Sequence, residues 1–171
     1  KIRGRALVPM ISATAATRLA AAGEGATVTL PLGGDAATEF FTPLTVTGTV
    51  RKVGGGVVAL RYNHQADVDF GKAVIFETGP VTLLITEHRG VAGNLPDAYR
   101  VMGVEPSDYK MAVLKTASNF QFFAPISSRV IRADTRGPGQ SDVFSLPWKR
   151  LPRPIYPLDP VASWRPLRAA G

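Results

Sequence analysis

Four polar residues that could take part in binding follow one short apolar run. Lys115, Thr116, Ser118 and Asn119 supply an ammonium group, two hydroxyls and an amide directly after the run Met111–Leu114. These groups donate and accept hydrogen bonds, so together they can hold a polar ligand. The alternative interpretation is that they begin a helix as its N-cap and that the lysine is simply solvated.

The segment from Tyr109 to Asp134 predicts the structure that positions these residues. The apolar run is short enough for a strand covered on both faces, a short helix follows with its phenylalanines in the core, and Val130–Ile131 forms a second strand. This order is a βαβ unit with a right-handed crossover. Because ligands collect at the carboxyl ends of strands in open α/β sheets, the turn at Lys115 is expected to face a cleft.

Two further groups of polar residues are candidate sites. Glu87, His88 and Arg89 follow the apolar strand Val81–Ile85, so Arg89 is expected at a strand end beside the Lys115 turn, although a solvated loop explains the same pattern. A second group combines an imidazole with two carboxylates and could bind a cation, but acids this close in sequence are usually surface charge; its members are His64, Asp67 and Asp69.

The N-terminal half reads as a strand-dominated region. Periodicity predicts a helix over Ser12–Ala22, with Ser12 as its N-cap and Gly23 at its end. It also predicts strands joined by glycine-containing turns, with a hairpin turn at Gly79 between the last two; the strands are Ala26–Leu32, Thr45–Val53, Val57–Leu60, Lys72–Glu77 and Pro80–Thr86. Gly54–Gly56 is interpreted as a hairpin turn. The predicted fold class is therefore mixed α/β: a strand-rich half joined to a βαβ unit in one mixed sheet with flanking helices.

Composition narrows the class of protein. The chain has 171 residues, of which 45% are hydrophobic, enough for one buried core. It contains no cysteine and two histidines, which excludes disulfides and thiolate metal sites and makes a transition-metal site in this chain unexpected. No apolar run has the roughly 20 residues that a membrane-spanning helix needs. We expect a soluble, cytoplasmic protein that does not bind membranes.

The net charge of +7 is concentrated at the C-terminus. Residues 149–171 carry five basic residues against Asp159, and no nucleic-acid-binding motif accompanies them, so nucleic acid is an unexpected partner. The prolines of this stretch exclude a helix. We expect residues 1–148 to form the domain and 149–171 an extended Pro/Arg-rich tail, packed on the domain or a partner through apolar anchors, which are Ile155, Tyr156, Leu158 and Trp164.

Three motifs, in order along the chain, resemble one known family. They are GPVTLLITEHRG from Gly79, YRVMGVEPSDYKMAVLKTASNFQFFAPISSRVI from Tyr99, and LPWKRLPRPIYPLD from Leu146. An upstream helix followed by GEGATVTLPLGG also fits. The chain is similar to the C-terminal domain of the microcystinase C (MlrC) family of metallopeptidases, a family of microcystin-degrading enzymes.

The resemblance implies that this chain is part of a longer hydrolase. In the family a larger N-terminal domain carries the metal, expected to be zinc, and the hydrolytic chemistry. This chain alone is then expected to be inactive, without catalytic residues or a metal of its own, and to help form the cleft for a small peptide or amide substrate. The expected partner is the N-terminal catalytic domain, and a homo-oligomer is left open.

One motif departs from the family pattern. The family reads K-[ST]-x-x-H-F-R where this chain has Lys115 to Gln121, so Asn119 replaces a histidine and Gln121 an arginine. Asn119 does not titrate near neutrality, and Gln121 lacks the guanidinium fork that grips a carboxylate. The competing hypothesis is a noncatalytic binding or assembly module with a basic interface.

Overall fold

A computed structural model describes residues 3–34, 41–62, 64–89, 93–116, 119–135 and 142–160, with backbone only at 61, 62 and 64–66. Within these residues the chain forms six strands and two α-helices: β1 (Ala6–Ile11), α1 (Ala13–Ala22), β2 (Thr27–Leu32), β3 (Leu44–Tyr62), β4 (His64–Thr78), β5 (Val81–Thr86), α2 (Pro96–Arg100) and β6 (Met111–Ala112). The predicted mixed α/β class is confirmed.

All six strands belong to one sheet in the order β2-β3-β4-β5-β1-β6. Strands β2 to β5 form an antiparallel meander, whereas β1 lies parallel to both of its neighbours, β5 and β6. The carboxyl ends of β5, β1 and β6 therefore meet along one side, which we call the carboxyl edge. We call the opposite side, where these three strands begin, the amino edge.

Helix α1 forms where the sequence predicts it. The Ser12 hydroxyl accepts a hydrogen bond from Ala15 N at 3.1 Å, and Gly23 ends the helix with a positive φ of 82°. Its buried face, which contains Ala16 and Leu19, covers one face of the sheet. The aliphatic and aromatic partners on that face are Leu30, Val50, Val74, Phe76, Leu83 and Ile85.

A second hydrophobic cluster covers the other face of the sheet. Strand alternation sends Ala73 and Ile75 of β4 to this side, while Val74 and Phe76 between and beyond them face α1. The central strands are buried on both faces, which explains their continuous apolar sequence. The second cluster also contains Leu7, Leu60, Phe70, Leu84, Leu95, Tyr99, Met102 and Phe123.

The prediction of a second strand in the βαβ unit, at Val130–Ile131, is wrong. β6 is only two residues long, and Val130 and Ile131 belong to no strand, with 50% and 78% of their surface exposed. Short 3₁₀ turns at Asn119–Phe122 and Ala124–Ile126 replace the expected helix. Pro125 lacks the N–H that a longer helix would need, so the chain continues without regular structure. The parallel strands are instead β5, β1 and β6.

The predicted turn at Gly54–Gly56 is also wrong. β3 continues through these glycines to Tyr62, and the pairing with β4 shifts register between Gly55 and Val57. Gly55 and Gly56 have positive φ values of 124° and 72°, as in a β-bulge. The predicted hairpin at Gly79 is confirmed, because β4 and β5 pair up to Thr78 and Val81 on either side of it.

The chain divides into two compact units, Lys1–Ile131 and Arg132–Gly171. In the second unit the Trp148 indole donates to Val143 O at 2.7 Å, and the Arg153 guanidinium pairs with the Asp159 carboxylate. Tyr156 is 80% exposed. A domain boundary after residue 148 and a tail anchored on a partner stay predictions, and the predicted anchor Trp164 lies outside the described residues. Among those residues no helix is long and apolar enough to cross a membrane.

Candidate functional site

The turn after β6 lies at the carboxyl edge of the sheet. Val113 N donates to Leu7 O at 2.9 Å, which carries the pairing with β1 one residue beyond the strand. The Lys115 side chain then points into solvent, while its backbone N–H donates to Asn94 Oδ1 at 3.2 Å. Asn119 N donates to Thr116 Oγ1 at 3.1 Å. Thr116 therefore caps the following 3₁₀ turn, so the capping interpretation holds alongside the exposed lysine.

The loop before α2 supports this turn. Gly93 has a positive φ of 73°, and a Cβ atom there would lie 2.0 Å from Pro9 Cβ. A larger residue cannot fit so close to β1, so glycine lets the loop cross the end of that strand. Leu95 is buried in the second cluster two residues later. Asn94 is thereby held between Gly93, which lies against β1, and the buried Leu95. Its amide oxygen accepts the hydrogen bond from the Lys115 backbone.

The end of β5 is fixed by backbone hydrogen bonds to β4. Glu87 N donates to Lys72 O at 2.8 Å, and His88 N donates to Phe70 O at 3.0 Å. The Thr86 hydroxyl donates to His88 O at 3.1 Å. The His88 ring lies with Nδ1 at 3.1 Å from Asp69 Oδ2, and both side chains are about half exposed. This pair leaves Nε2 of the imidazole facing away from the carboxylate.

Both carboxylates beside β5 are stabilised in the charged form. The Gly71 N–H bonded to Asp69 Oδ1 lowers the pKa of Asp69, with a smaller contribution from His88. The Lys72 N–H bonded to Glu87 Oε2 lowers the pKa of Glu87, and the Lys72 ammonium adds to this effect. The two acids thus hold the irregular backbone of β4 at Gly71, whose φ is 58° and which lies opposite the register shift in β3.

Two cationic side chains at this edge can donate hydrogen bonds to a ligand. Lys115 and Arg89 are exposed and make no ion pair with any residue in the described ranges. They present N–H donors to a carboxylate or to an amide oxygen. Across the described side chains no three His, Asp or Glu lie together as metal ligands. One imidazole paired with one carboxylate supplies fewer ligands than a zinc site needs.

The structure brings together some of the predicted site residues. Lys115, Thr116 and Asn119 share the turn after β6, and Gln121 is exposed on the 3₁₀ turn that follows. Arg89 follows β5, two strands away, which is about 10 Å at the usual strand spacing. Ser118 lies outside the described residues.

Sequence reasoning missed two features of the edge. It gave no role to Asn94, whose only signal is its place in a Gly/Pro-rich loop. It considered His88 and Asp69 separately and did not pair them, because 19 residues separate them in the chain.

The fold and the carboxyl edge define a class of protein. It is a mixed α/β domain in which polar loops lie at the carboxyl ends of the parallel strands. The model of the MlrC C-terminus family matches residues 1–150. The chain belongs to this family, and the resemblance noted in the sequence is confirmed.

One solved structure is similar over nearly the whole chain. It is a protein from Mesorhizobium sp. BNC1 described as a "putative metallopeptidase", with 30% sequence identity and a TM-score of 0.80. The match covers 95% of this chain but 32% of that protein, so the chain spans about a third of its length. No curated protein matches the chain.

Proposed function

We propose that this domain forms one wall of the substrate cleft in a longer metal-dependent hydrolase of the peptidase or amidohydrolase type. The observation that carries the proposal is the exposed, cationic carboxyl edge in a chain that belongs to the MlrC C-terminus family. Its solved relative is three times as long, which supports a larger N-terminal domain as the partner. In open α/β sheets this edge is where ligands bind.

In this proposal Lys115 and Arg89 orient the substrate. An ammonium and a guanidinium that follow strands two positions apart in the sheet can bind two polar groups of a small peptide or amide, such as a carboxylate and a carbonyl oxygen. Thr116, Ser118, Asn119 and Gln121 are proposed to line the same cleft. Cleavage belongs to the other domain, so the isolated chain is proposed to be inactive, and a cytoplasmic location is proposed as well.

The metal, proposed to be zinc, would be held outside this chain. Elemental analysis after dialysis should therefore find about one tightly bound zinc in the full-length protein and none in the 171-residue chain. A stoichiometric metal in the chain alone would contradict this division of labour, and a full-length protein with no divalent metal would contradict the proposed chemistry.

The substrate-binding role of Lys115 is tested in the full-length protein. Lys115→Ala should lower kcat/KM for hydrolysis of a panel of short peptides by tenfold or more, equivalent to about 1.4 kcal/mol of transition-state binding. The free energy of unfolding should change by less than about 0.5 kcal/mol, because the side chain is exposed and unpaired within the described structure. The matched control is Lys149→Ala, the same substitution at an exposed lysine in the basic tail.

Two results would reject the role of Lys115. Equal losses of kcat/KM in Lys115→Ala and Lys149→Ala would show that overall positive charge matters, and not the position of Lys115 at the carboxyl edge. Lost stability with unchanged turnover per folded molecule would mark Lys115 as structural. A full-length protein that cleaves no member of the panel would reject the hydrolase proposal itself.

The second candidate function is a noncatalytic assembly module. The observation that favours it is the second unit, where Phe144, Trp148 and Tyr156 expose 67%, 47% and 80% of their surface among basic residues. Exposed aromatics beside basic residues are typical of interfaces. Under this alternative, Lys115→Ala leaves function intact, and removal of residues 149–171 abolishes binding of the partner.

A further inference from the structure

A cavity of about 390 Å³ lies at the amino edge of the sheet, on the side away from the Lys115 turn. Its floor contains Val104, which is half-buried, together with Ile75 and Met102, of which only 2% and 3% is exposed. Its rim is polar and carries Arg5 and Lys52 together with other charged side chains. Binding pockets for small organic molecules combine an apolar floor and a few directed polar groups in this way.

Two arginines on the rim share one carboxylate. Glu77 Oε1 accepts from Arg5 Nη2 at 2.9 Å, and Glu77 Oε2 accepts from Arg51 Nε at 2.6 Å. Arg5 is further fixed by Tyr109, whose hydroxyl accepts from Nη2 at 2.9 Å and whose ring centre lies 4.4 Å from the guanidinium carbon. Each guanidinium has five N–H donors, so these contacts orient both groups without using all of their donors.

The remaining charges leave an excess of donors on the rim. Glu105 accepts from Arg100 and from both the backbone and the hydroxyl of Ser107, so its oxygens are already occupied. Lys52 has no ion pair or hydrogen bond with the part of the chain that the structure describes, and its Nζ lies beside Gly103. Asp108 is the exposed opposing charge on this rim.

We propose that this cavity binds a small organic carboxylate that has an apolar body. The carboxylate would accept hydrogen bonds from Lys52, which is unpaired in the described structure, and from Arg5 and Arg51, whose donors are oriented but not saturated. The apolar body would pack against Val104, the partly exposed residue of the floor. An inorganic anion would leave this floor uncovered, and a neutral molecule would leave the ammonium of Lys52 unpaired. The inference is independent of the substrate cleft proposed for the carboxyl edge.

Isothermal titration calorimetry on the 171-residue chain tests the proposal with N-acetyl-leucine, its uncharged analogue N-acetyl-leucinamide, and acetate as probes. N-acetyl-leucine should bind saturably at low-millimolar concentration or below. The amide and acetate should each bind at least tenfold more weakly, because one lacks the charge and the other the apolar body. Lys52→Gln should weaken binding of N-acetyl-leucine at least fivefold, whereas Lys149→Gln, the same change at an exposed lysine that does not line the cavity, should leave it unchanged.

Several results would overturn the site. Equal affinity for acid and amide would show an apolar groove without carboxylate recognition, and equal affinity for acetate would show unspecific anion binding. No saturation below about 20 mM, or equal losses from both lysine variants, would reject the cavity as the binding site. Circular dichroism and thermal melting of both variants establish that they are folded, and Arg51→Gln provides a second test at the same rim.

Discussion

The two edges of the sheet stabilise their carboxylates in different ways. At the carboxyl edge, Asp69 and Glu87 each accept a backbone N–H, from Gly71 and Lys72 respectively. At the amino edge, Glu77 and Glu105 are held by arginine side chains, although Glu105 also accepts from Ser107. One edge therefore uses its acids to fix the backbone, and the other uses them to orient cations.

This difference determines which groups each edge can offer to a ligand. A carboxylate bonded to backbone amides fixes a loop and leaves nearby cationic side chains, such as Lys115 and Arg89, unpaired within the described structure. A carboxylate bonded to guanidinium groups orients those groups but neutralises part of their charge. We therefore expect the carboxyl edge to depend on loop geometry and the amino edge to depend on individual arginine side chains.

Glycine substitutions give the largest expected difference between the edges. Gly93→Ala at the carboxyl edge combines a positive φ of 73° with a Cβ atom placed 2.0 Å from Pro9 Cβ. It should lower the free energy of unfolding by about 3 kcal/mol or more, since overpacking and left-handed strain add. At the amino edge, Gly79 has a φ of 55°, but no atom lies within 4 Å of the Cβ that an alanine would add. Gly79→Ala should therefore lower the free energy of unfolding by only about 1–2 kcal/mol.

Urea denaturation of the two alanine variants measures this difference. Similar losses for Gly93→Ala and Gly79→Ala would mean that the loop before α2 can move away from β1, and that Asn94 is not held in a fixed position. If Gly93→Ala lowers the stability and also shifts the backbone amide resonance of Lys115, this would strengthen the case that the loop before α2 supports the turn after β6.

Local signals explain which parts of the fold the sequence could predict. The N-cap Ser12, the stop at Gly23 and the turn at Gly79 act within a few residues, and all three were predicted correctly. Gly54–Gly56 gives the same local signal for a turn and for a bulge. Only the partner strand decides between them, because β4 continues alongside β3 beyond the glycines.

The second predicted strand, Val130–Ile131, failed for a related reason. Its residues have high strand propensity, but a strand needs a neighbour with which to pair. The sheet ends at β6, which pairs with β1 over only two residues. An edge strand of two residues offers little backbone to pair with, and Val130 and Ile131 stay exposed despite their propensity.

The candidate site was predictable to the extent that it follows a strand. Lys115 could be assigned to the end of β6 because the apolar run before it ends abruptly. Its contact with Asn94 joins residues 21 positions apart, and the His88–Asp69 pair joins residues 19 apart. Contacts of this kind follow from sheet order and loop path, which periodicity does not specify. The cavity at the amino edge was missed because its lining comes from β3, β4, the segment before β1 and the connection between α2 and β6.

The smallest expected effect concerns the pKa values of the carboxylates themselves. The pKa of Glu105 is lowered to about 2, first by its hydrogen bonds to Arg100, whereas the pKa of Glu87 is lowered first by the backbone N–H of Lys72. Because a lowered pKa stabilises the folded state only while the acid is charged, the contribution of Glu105 is present above about pH 4.5 and is lost as the pH falls towards 2. Its side chain is 40% exposed, so screening limits the contribution to below about 1 kcal/mol.

A pair of matched variants separates the two mechanisms. Arg100→Gln removes the guanidinium that bonds Glu105, so the pKa of Glu105 should return most of the way to its ordinary value near 4.5. Lys72→Gln removes an ammonium but keeps the backbone N–H, so the pKa of Glu87 should stay below its ordinary value. NMR titration of the side-chain carboxyl carbons measures both. If Lys72→Gln restored the ordinary pKa of Glu87 as fully as Arg100→Gln restores that of Glu105, side-chain charge would control both edges, and the contrast between a backbone-held and an arginine-held edge would be wrong.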